Sequence, residues 1–253
     1  MKIDRVILST NDKKEYYDFW PLVSKRWSSW GIKPELFVIS EKDLDIDSSH
    51  GNVTYVNPAR GFRTAQQSQI VRFFGAAKYE DEVCLISDLD MMPLDKDYFV
   101  KSIDNCEDDN IVFYSSDAYT PGNPAYPAYP MCYMAAKGST FRQIIGSSFE
   151  DFSSSLRDWM AHGYGWFSDE KVFFEKLSAW SSTNEDNIVL LRRGFNFGND
   201  PHLIRRIDRG NGCLYNETFL KKKYYVDFHM PRPYETYKSV IDLIYNTTNF
   251  EDQ

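Results

Sequence analysis

The sequence predicts an α/β protein, a single domain with a Rossmann-like, mostly parallel central sheet flanked by helices. Three observations carry that prediction. Uncharged, β-branched runs alternate with helical apolar spacing through roughly residues 1–95. One run, Val83-Cys84-Leu85-Ile86-Ser87, lacks the apolar-polar alternation of a half-exposed strand, so it suits a strand buried on both faces. No repeat or low-complexity linker divides the 253 residues, and 42% hydrophobic residues are enough for one sizeable core.

Taken in order, residues 5–10 read as a first strand that Asn11-Asp12 stops, and residues 15–27 follow with helical apolar spacing. Residues 34–40 form a second strand and 53–56 a short third. Residues 64–79 form a helix, with Thr64 as its cap and Ile70, Phe73, Phe74 and Ala77 on one face. That helix feeds the strand at 83–87, which Pro93 is expected to end. Strand-helix alternation of this kind closes into a parallel sheet through right-handed crossovers. Beyond Pro93 the pattern is mixed, with strands at 111–114, 131–136 and 188–191 and helices at 139–145, 149–160, 171–177 and 237–245. Prolines 121, 124, 127 and 130 exclude regular structure from their segment, which should lie over a face of the sheet.

Composition narrows the function classes. A net charge of −8 and a pI near 5.1 disfavour a broad nucleic-acid surface; the basic residues are local, at Arg60/Arg63/Arg72, Arg192/Arg193, Arg205/Arg206/Arg209 and Lys221-Lys222-Lys223, where one cluster can grip a small anion. No apolar run of membrane-spanning length and no signal-peptide pattern is present, so a soluble, cytoplasmic protein is expected. The four cysteines lack CxxC spacing, which argues against a zinc site and a disulfide scaffold. Neither G-x-G-x-x-G nor a Walker loop occurs, so a bound nucleotide would rest on strand-end side chains.

The chemistry concentrates at Asp88-Leu89-Asp90. Ligands of open α/β sheets bind beyond the carboxyl ends of the strands, and in an extended chain the side chains at i and i+2 point the same way. Two hard anionic oxygens on one side suit Mn²⁺ or Mg²⁺ with positions left for phosphates. Asp-x-Asp occurs four times here, but the matches at 43–45, 45–47 and 95–97 lie in polar turns and read as solvated carboxylates. The overlapping pair also fails as a calcium loop, because Ser48 and Thr54 stand where the glycine and the bidentate Glu belong. Asp169 and Glu170 follow a glycine-hinged aromatic segment and start a helix, a place that also suits acidic residues on dipole grounds alone.

A βαβ-type first half, Asp88-Leu89-Asp90 after a buried strand, and His229 beside a proline turn together resemble the GT-A class of metal-dependent glycosyltransferases. Within it the chain is similar to the short soluble transferases of large algal viruses. The resemblance implies hexosyl or deoxyhexosyl transfer from a nucleotide-diphosphate sugar, a UDP-sugar favoured, to a carbohydrate or glycoprotein hydroxyl. It implies a nucleotide-binding half over about 1–95 and an acceptor-binding half over about 96–253. It also implies that Asp88, Asp90 and His229 hold Mn²⁺ (or Mg²⁺), that Ser9, Thr10, Asn11, Arg63, Arg72 and Asp88 contact the nucleotide-sugar, and that Asp169 is the catalytic base. Tyr164, Trp166 and Trp159 either stack on the acceptor or pack. Two other classes share parts of the pattern: a haloacid-dehalogenase-like phosphatase, whose first Asp is a nucleophile, and a non-catalytic carbohydrate-binding domain.

Overall fold

The computed structural model describes residues 1–114, 116, 128–191 and 205–248. Most of the proline-spaced segment, together with Arg192 and Arg193, lies outside the described residues. In chain order the elements are β1 (Arg5–Asn11), α1 (Lys14–Tyr17), α2 (Trp20–Ser29), β2 (Lys33–Ile39), β3 (Asn52–Val56), α3 (Thr64–Ala77), β4 (Val83–Ser87), β5 (Met91–Pro93) and α4 (Lys96–Val100). They continue with β6 (Ile111–Phe113), β7 (Tyr133–Lys137), α5 (Gly138–Ile145), α6 (Phe152–Ala161), α7 (Ser168–Ser181), β8 (Ile188–Leu190), β9 (Arg206–Asp208), α8 (Glu217–Lys221), β10 (Asp227–His229) and α9 (Tyr234–Thr248).

Among the described residues seven strands form the main sheet, in the order β3-β2-β1-β4-β7-β6-β8. The pairs β1·β2, β1·β4, β2·β3 and β6·β8 are parallel, and β7 alone runs against its neighbours β4 and β6. The sheet is therefore mostly parallel, as expected, with one reversed strand in its interior. A second, three-stranded sheet, β5-β10-β9, pairs β10 antiparallel to β5 and parallel to β9.

Alternate side chains of each strand enter two apolar layers. Val6 and Leu8 of β1 join Trp20, Trp27 and Leu36 on one face, while Ile7 joins Phe37, Ile70 and Phe74 on the other. Both faces are thus dry, which is why the strands read as unbroken apolar runs. Each such side chain contributes about 1.5–3 kcal/mol when fully buried, so the two layers together hold the helices on the sheet. Gly75 sets the spacing of α3, because a Cβ there would enter the Phe37 ring.

Four expectations change. Residues 15–27 are not one helix: Pro21, at the start of α2, cannot donate to Tyr17 and its ring would crowd that carbonyl, so the chain steps between α1 and α2. Thr64 does not cap α3; Arg63 holds the cap position with extended backbone, and Thr64 Oγ1 instead accepts from Asn11 Nδ2 at 3.2 Å. Pro93 does not end pairing: it lies in β5, an edge strand, opposite Asp227, where its missing N–H faces outward at no cost. The strand expected at 131–136 begins at Tyr133.

Candidate active site

The sheet order reverses between β1 and β4, since β2 and β3 extend one way from β1 and the rest of the sheet the other. A cleft of about 370 Å³ opens over the carboxyl ends of these two strands. This is the switch point at which open α/β sheets bind ligands. It is lined by Ser9, Thr10 and Asn11 from the end of β1, Arg72 from α3, Asp88 and Asp90 beyond β4, and Trp166, Asp169 and Glu170 at the start of α7. Arg206, Arg209, His229 and Arg232 close the opposite side.

The β1 edge is tied to α3. Ser9 Oγ donates to the Ser68 carbonyl at 2.5 Å, and Asn11 links Thr64 through Nδ2 and the Lys13 N–H through Oδ1. Arg63 is exposed and does not line the cleft.

Two acidic centres stand in the cleft, each neutralised differently. Arg72 is fully buried between two carboxylates: Nη1 donates to Asp88 Oδ1, and Nη2 donates to Asp169 Oδ2 at 2.9 Å. Its Nε finds no hydrogen-bond partner among the described residues. Burial pushes the Asp169 carboxyl up to about 6, against the opposing charge of Arg72 and with reinforcement from Glu170.

The second centre is Asp90, whose Oδ2 faces three cationic groups: Arg209 Nη1 at 2.6 Å, His229 Nε2 at 3.7 Å and Arg232 Nε at 3.8 Å. Burial would raise the Asp90 pKa, but His229 and Arg209 outweigh it and hold the carboxyl below its usual range. His229 shows the reverse balance. Burial alone would lower its pKa, and Asp208 and Asp90 raise it to about 9. Its Nδ1 lies 3.2 Å from Asp208 Oδ2, leaving Nε2 as the nitrogen that faces Asp90. Asp208 itself falls to about 2: burial opposes the drop, while His229 and the Gly210 N–H accepted by its Oδ1 drive it.

The small sheet builds this corner. The β9–β10 pairing sets Asp208 beside His229, and β10–β5 sets His229 opposite Met91, the residue after Asp90. The donor set fits a hard or borderline dication: two carboxylates and an imidazole oriented by a carboxylate behind it. As they stand, however, Asp88 is drawn to Arg72 and Asp90 to Arg209. Among the described residues no three His, Cys, Asp or Glu side chains are gathered to hold a metal.

Of the three aromatics expected either to stack or to pack, Trp159 packs, stacked on Phe73 at 5.5 Å and 1% exposed. Tyr164 donates its hydroxyl to Glu175. Trp166 is 53% exposed at the cleft edge, carried on the short turn Gly165–Phe167. The sequence places Arg206 and Arg209 in one of four basic clusters without linking them to Asp90, and it does not single out Asp208, Arg232 or Tyr16, the cleft residue whose ring lies 4.3 Å below the Arg232 guanidinium. Arg232 between two prolines was the one available signal; Asp208 sits in a three-residue strand with no apolar run to reveal it.

With its switch-point cleft and reversed inner strand, this chain has the fold of GT-A glycosyltransferases. The galactosyltransferase LgtC, solved with donor and acceptor sugar analogs, superposes with a TM-score of 0.51 at 10% identity, covering 98% of both chains. An active-site mutant of LgtC gives 0.52 at 9% identity, covering 94% of this chain and 95% of the mutant. The glycosyltransferase GlyE of Streptococcus pneumoniae TIGR4 gives 0.51 at 11% identity over 99% of this chain, which spans 61% of GlyE's length. No protein-family model and no curated protein sequence matches the chain. No helix among the described residues is long and apolar enough to cross a membrane.

Proposed function

We propose that this chain is a metal-dependent glycosyltransferase that moves a sugar from a nucleotide-diphosphate sugar, a UDP-sugar favoured, to an acceptor hydroxyl. One observation carries the reading: a carboxylate-imidazole corner and several arginines converge at the switch-point cleft of a glycosyltransferase fold. That mixture suits a diphosphate bridged to a dication. Asp88, Asp90 and His229 would hold Mn²⁺ or Mg²⁺. Such an ion would neutralise the charge that develops on the leaving diphosphate. Neither the phosphatase reading nor the non-catalytic one gains support from the structural neighbours.

The chain's own residues divide the remaining work. Ser9, Thr10 and Asn11 form the edge where the nucleoside would lie, within the first of the two halves. Arg209 and Arg232 face the position of a diphosphate beside Asp90. Arg72 keeps Asp169 ionised despite burial, so that Asp169 can take the proton of the incoming hydroxyl. Trp166 would offer its exposed face to a sugar-like acceptor.

Calorimetry with UDP and GDP, with and without Mn²⁺, followed by a panel of nucleotide-sugars scored for Mn²⁺-dependent hydrolysis, tests the reading. Metal-dependent nucleotide binding that Asp90→Ala abolishes is expected. Binding indifferent to both metal and Asp90 would overturn it.

A further inference from the structure

Arg209 occupies an unusual position among the cleft arginines. Arg72 is locked between two carboxylates, Arg206 reaches Asp227 at 2.6 Å in a buried pair, and Arg232, 3.8 Å from Asp90 Oδ2, lies 4.3 Å over the Tyr16 ring. Arg209 instead meets Asp90 Oδ2 at 2.6 Å with a side chain 28% exposed, and its other hydrogen bond, to the Met230 carbonyl, is long at 3.4 Å. Its backbone is the better anchored part: the Gly210 N–H donates to Asp208 Oδ1 at 2.6 Å, and Gly212 closes the turn at a φ of +67°. The side chain can therefore swing while the turn stays.

The carboxylate it covers is one that a divalent cation would need. A dication on Asp90 Oδ2 would stand within a few ångströms of the Arg209 guanidinium, where like charges repel strongly in a partly buried site. Arg209 must then leave Oδ2 or keep the dication out. The place open to it is the cleft it already lines, and a guanidinium fork matches the paired oxygens of a diphosphate.

We propose that Arg209 is a resident counter-cation of Asp90 that moves onto the diphosphate when a dication arrives, making metal and diphosphate binding mutually dependent. This rests on the reading of the cleft as a nucleotide-diphosphate site. Coupling of this kind is reciprocal: the metal alone binds weakly because it must displace Arg209 unrewarded, and the diphosphate restores a partner to the displaced charge.

The experiment measures Mn²⁺ binding alone, by the loss of free-ion electron paramagnetic resonance signal. It also measures UDP and GDP binding at saturating Mn²⁺ by calorimetry, for the wild type, Arg209→Gln and Arg209→Lys. Arg209→Gln should bind Mn²⁺ alone about tenfold tighter and nucleoside diphosphate about tenfold weaker, the size of one charge-assisted contact. Arg209→Lys, which keeps the charge, should bind Mn²⁺ as weakly as the wild type. Unchanged or weaker Mn²⁺ affinity in Arg209→Gln, with its melting temperature preserved, overturns the exchange while leaving the functional reading intact. A wild type that binds Mn²⁺ but neither nucleoside diphosphate overturns the functional reading and the diphosphate half of the exchange together.

Discussion

His229 is turned by Asp208. The imidazole Nδ1 lies 3.2 Å from the Asp208 carboxylate, so Nε2 is the nitrogen presented to Asp90. A carboxylate behind an imidazole fixes ring orientation and raises basicity, and removing such partners costs about 10–100-fold in metal affinity. Asp208→Asn keeps an oxygen to accept from Gly210 but loses the charge behind His229. Mn²⁺-dependent nucleotide binding by calorimetry should therefore fall about 10–100-fold, with the melting temperature also lowered because the ionised Asp208 stabilises the fold at neutral pH.

As the proposed base, Asp169 should give the activity a defined acid limb. Its carboxyl, held near 6 by burial against Arg72, must be ionised to act as a base. Transfer activity should then fall about tenfold per pH unit below about 6, and Asp169→Asn should lose both the activity and the limb. Removing the opposing charge with Arg72→Met should move the limb to higher pH. For stability the sign is the reverse of that for a paired surface carboxylate. The folded state binds this proton more tightly than the unfolded one, so ionised Asp169 costs stability at neutral pH. That cost is relieved as pH falls from about 6 towards the ordinary carboxylate range near 4.

Substitution of Trp166 would distinguish acceptor from donor binding. Exposed at the cleft edge, its indole can lose an acceptor contact without disturbing the core. Trp166→Ala should raise the acceptor KM about three- to tenfold, the worth of one aromatic contact, and leave donor affinity within error. An unchanged acceptor KM would remove Trp166 from the acceptor surface.

Arg26 clasps the end of α9. Its guanidinium is buried in α2, donates to the carbonyls of Thr248 at 3.0 Å and Tyr245 at 2.9 Å, and stacks 4.5 Å from the Tyr245 ring. Burial lowers its pKa to about 10, against the help of Tyr245, so it stays charged at neutral pH. Two helix-terminal carbonyls would lose their donor in Arg26→Ala, costing about 3 kcal/mol in urea unfolding. Activity per folded molecule should persist, because Arg26 is remote from the cleft.

The sequence by itself determined what depends on local period and chain chemistry. Residues 83–87 had to be a doubly buried strand because no polar alternation interrupts them, and the carboxylates that follow had to fall at its carboxyl end. Helix α3 was legible for the same reason, its apolar face repeating at helical spacing. Tertiary structure decided the rest. Arg72 meets Asp169 across 97 residues and Arg209 meets Asp90 across 119, and no periodicity reports where the chain returns. The reversed β7 and the three-residue β9 are likewise set by pairing partners rather than by their own composition. The chain thus announced an Asp-x-Asp pair at a strand end. Only the packed fold showed that each of its two carboxylates already holds an arginine, because ion pairs form where distant elements meet.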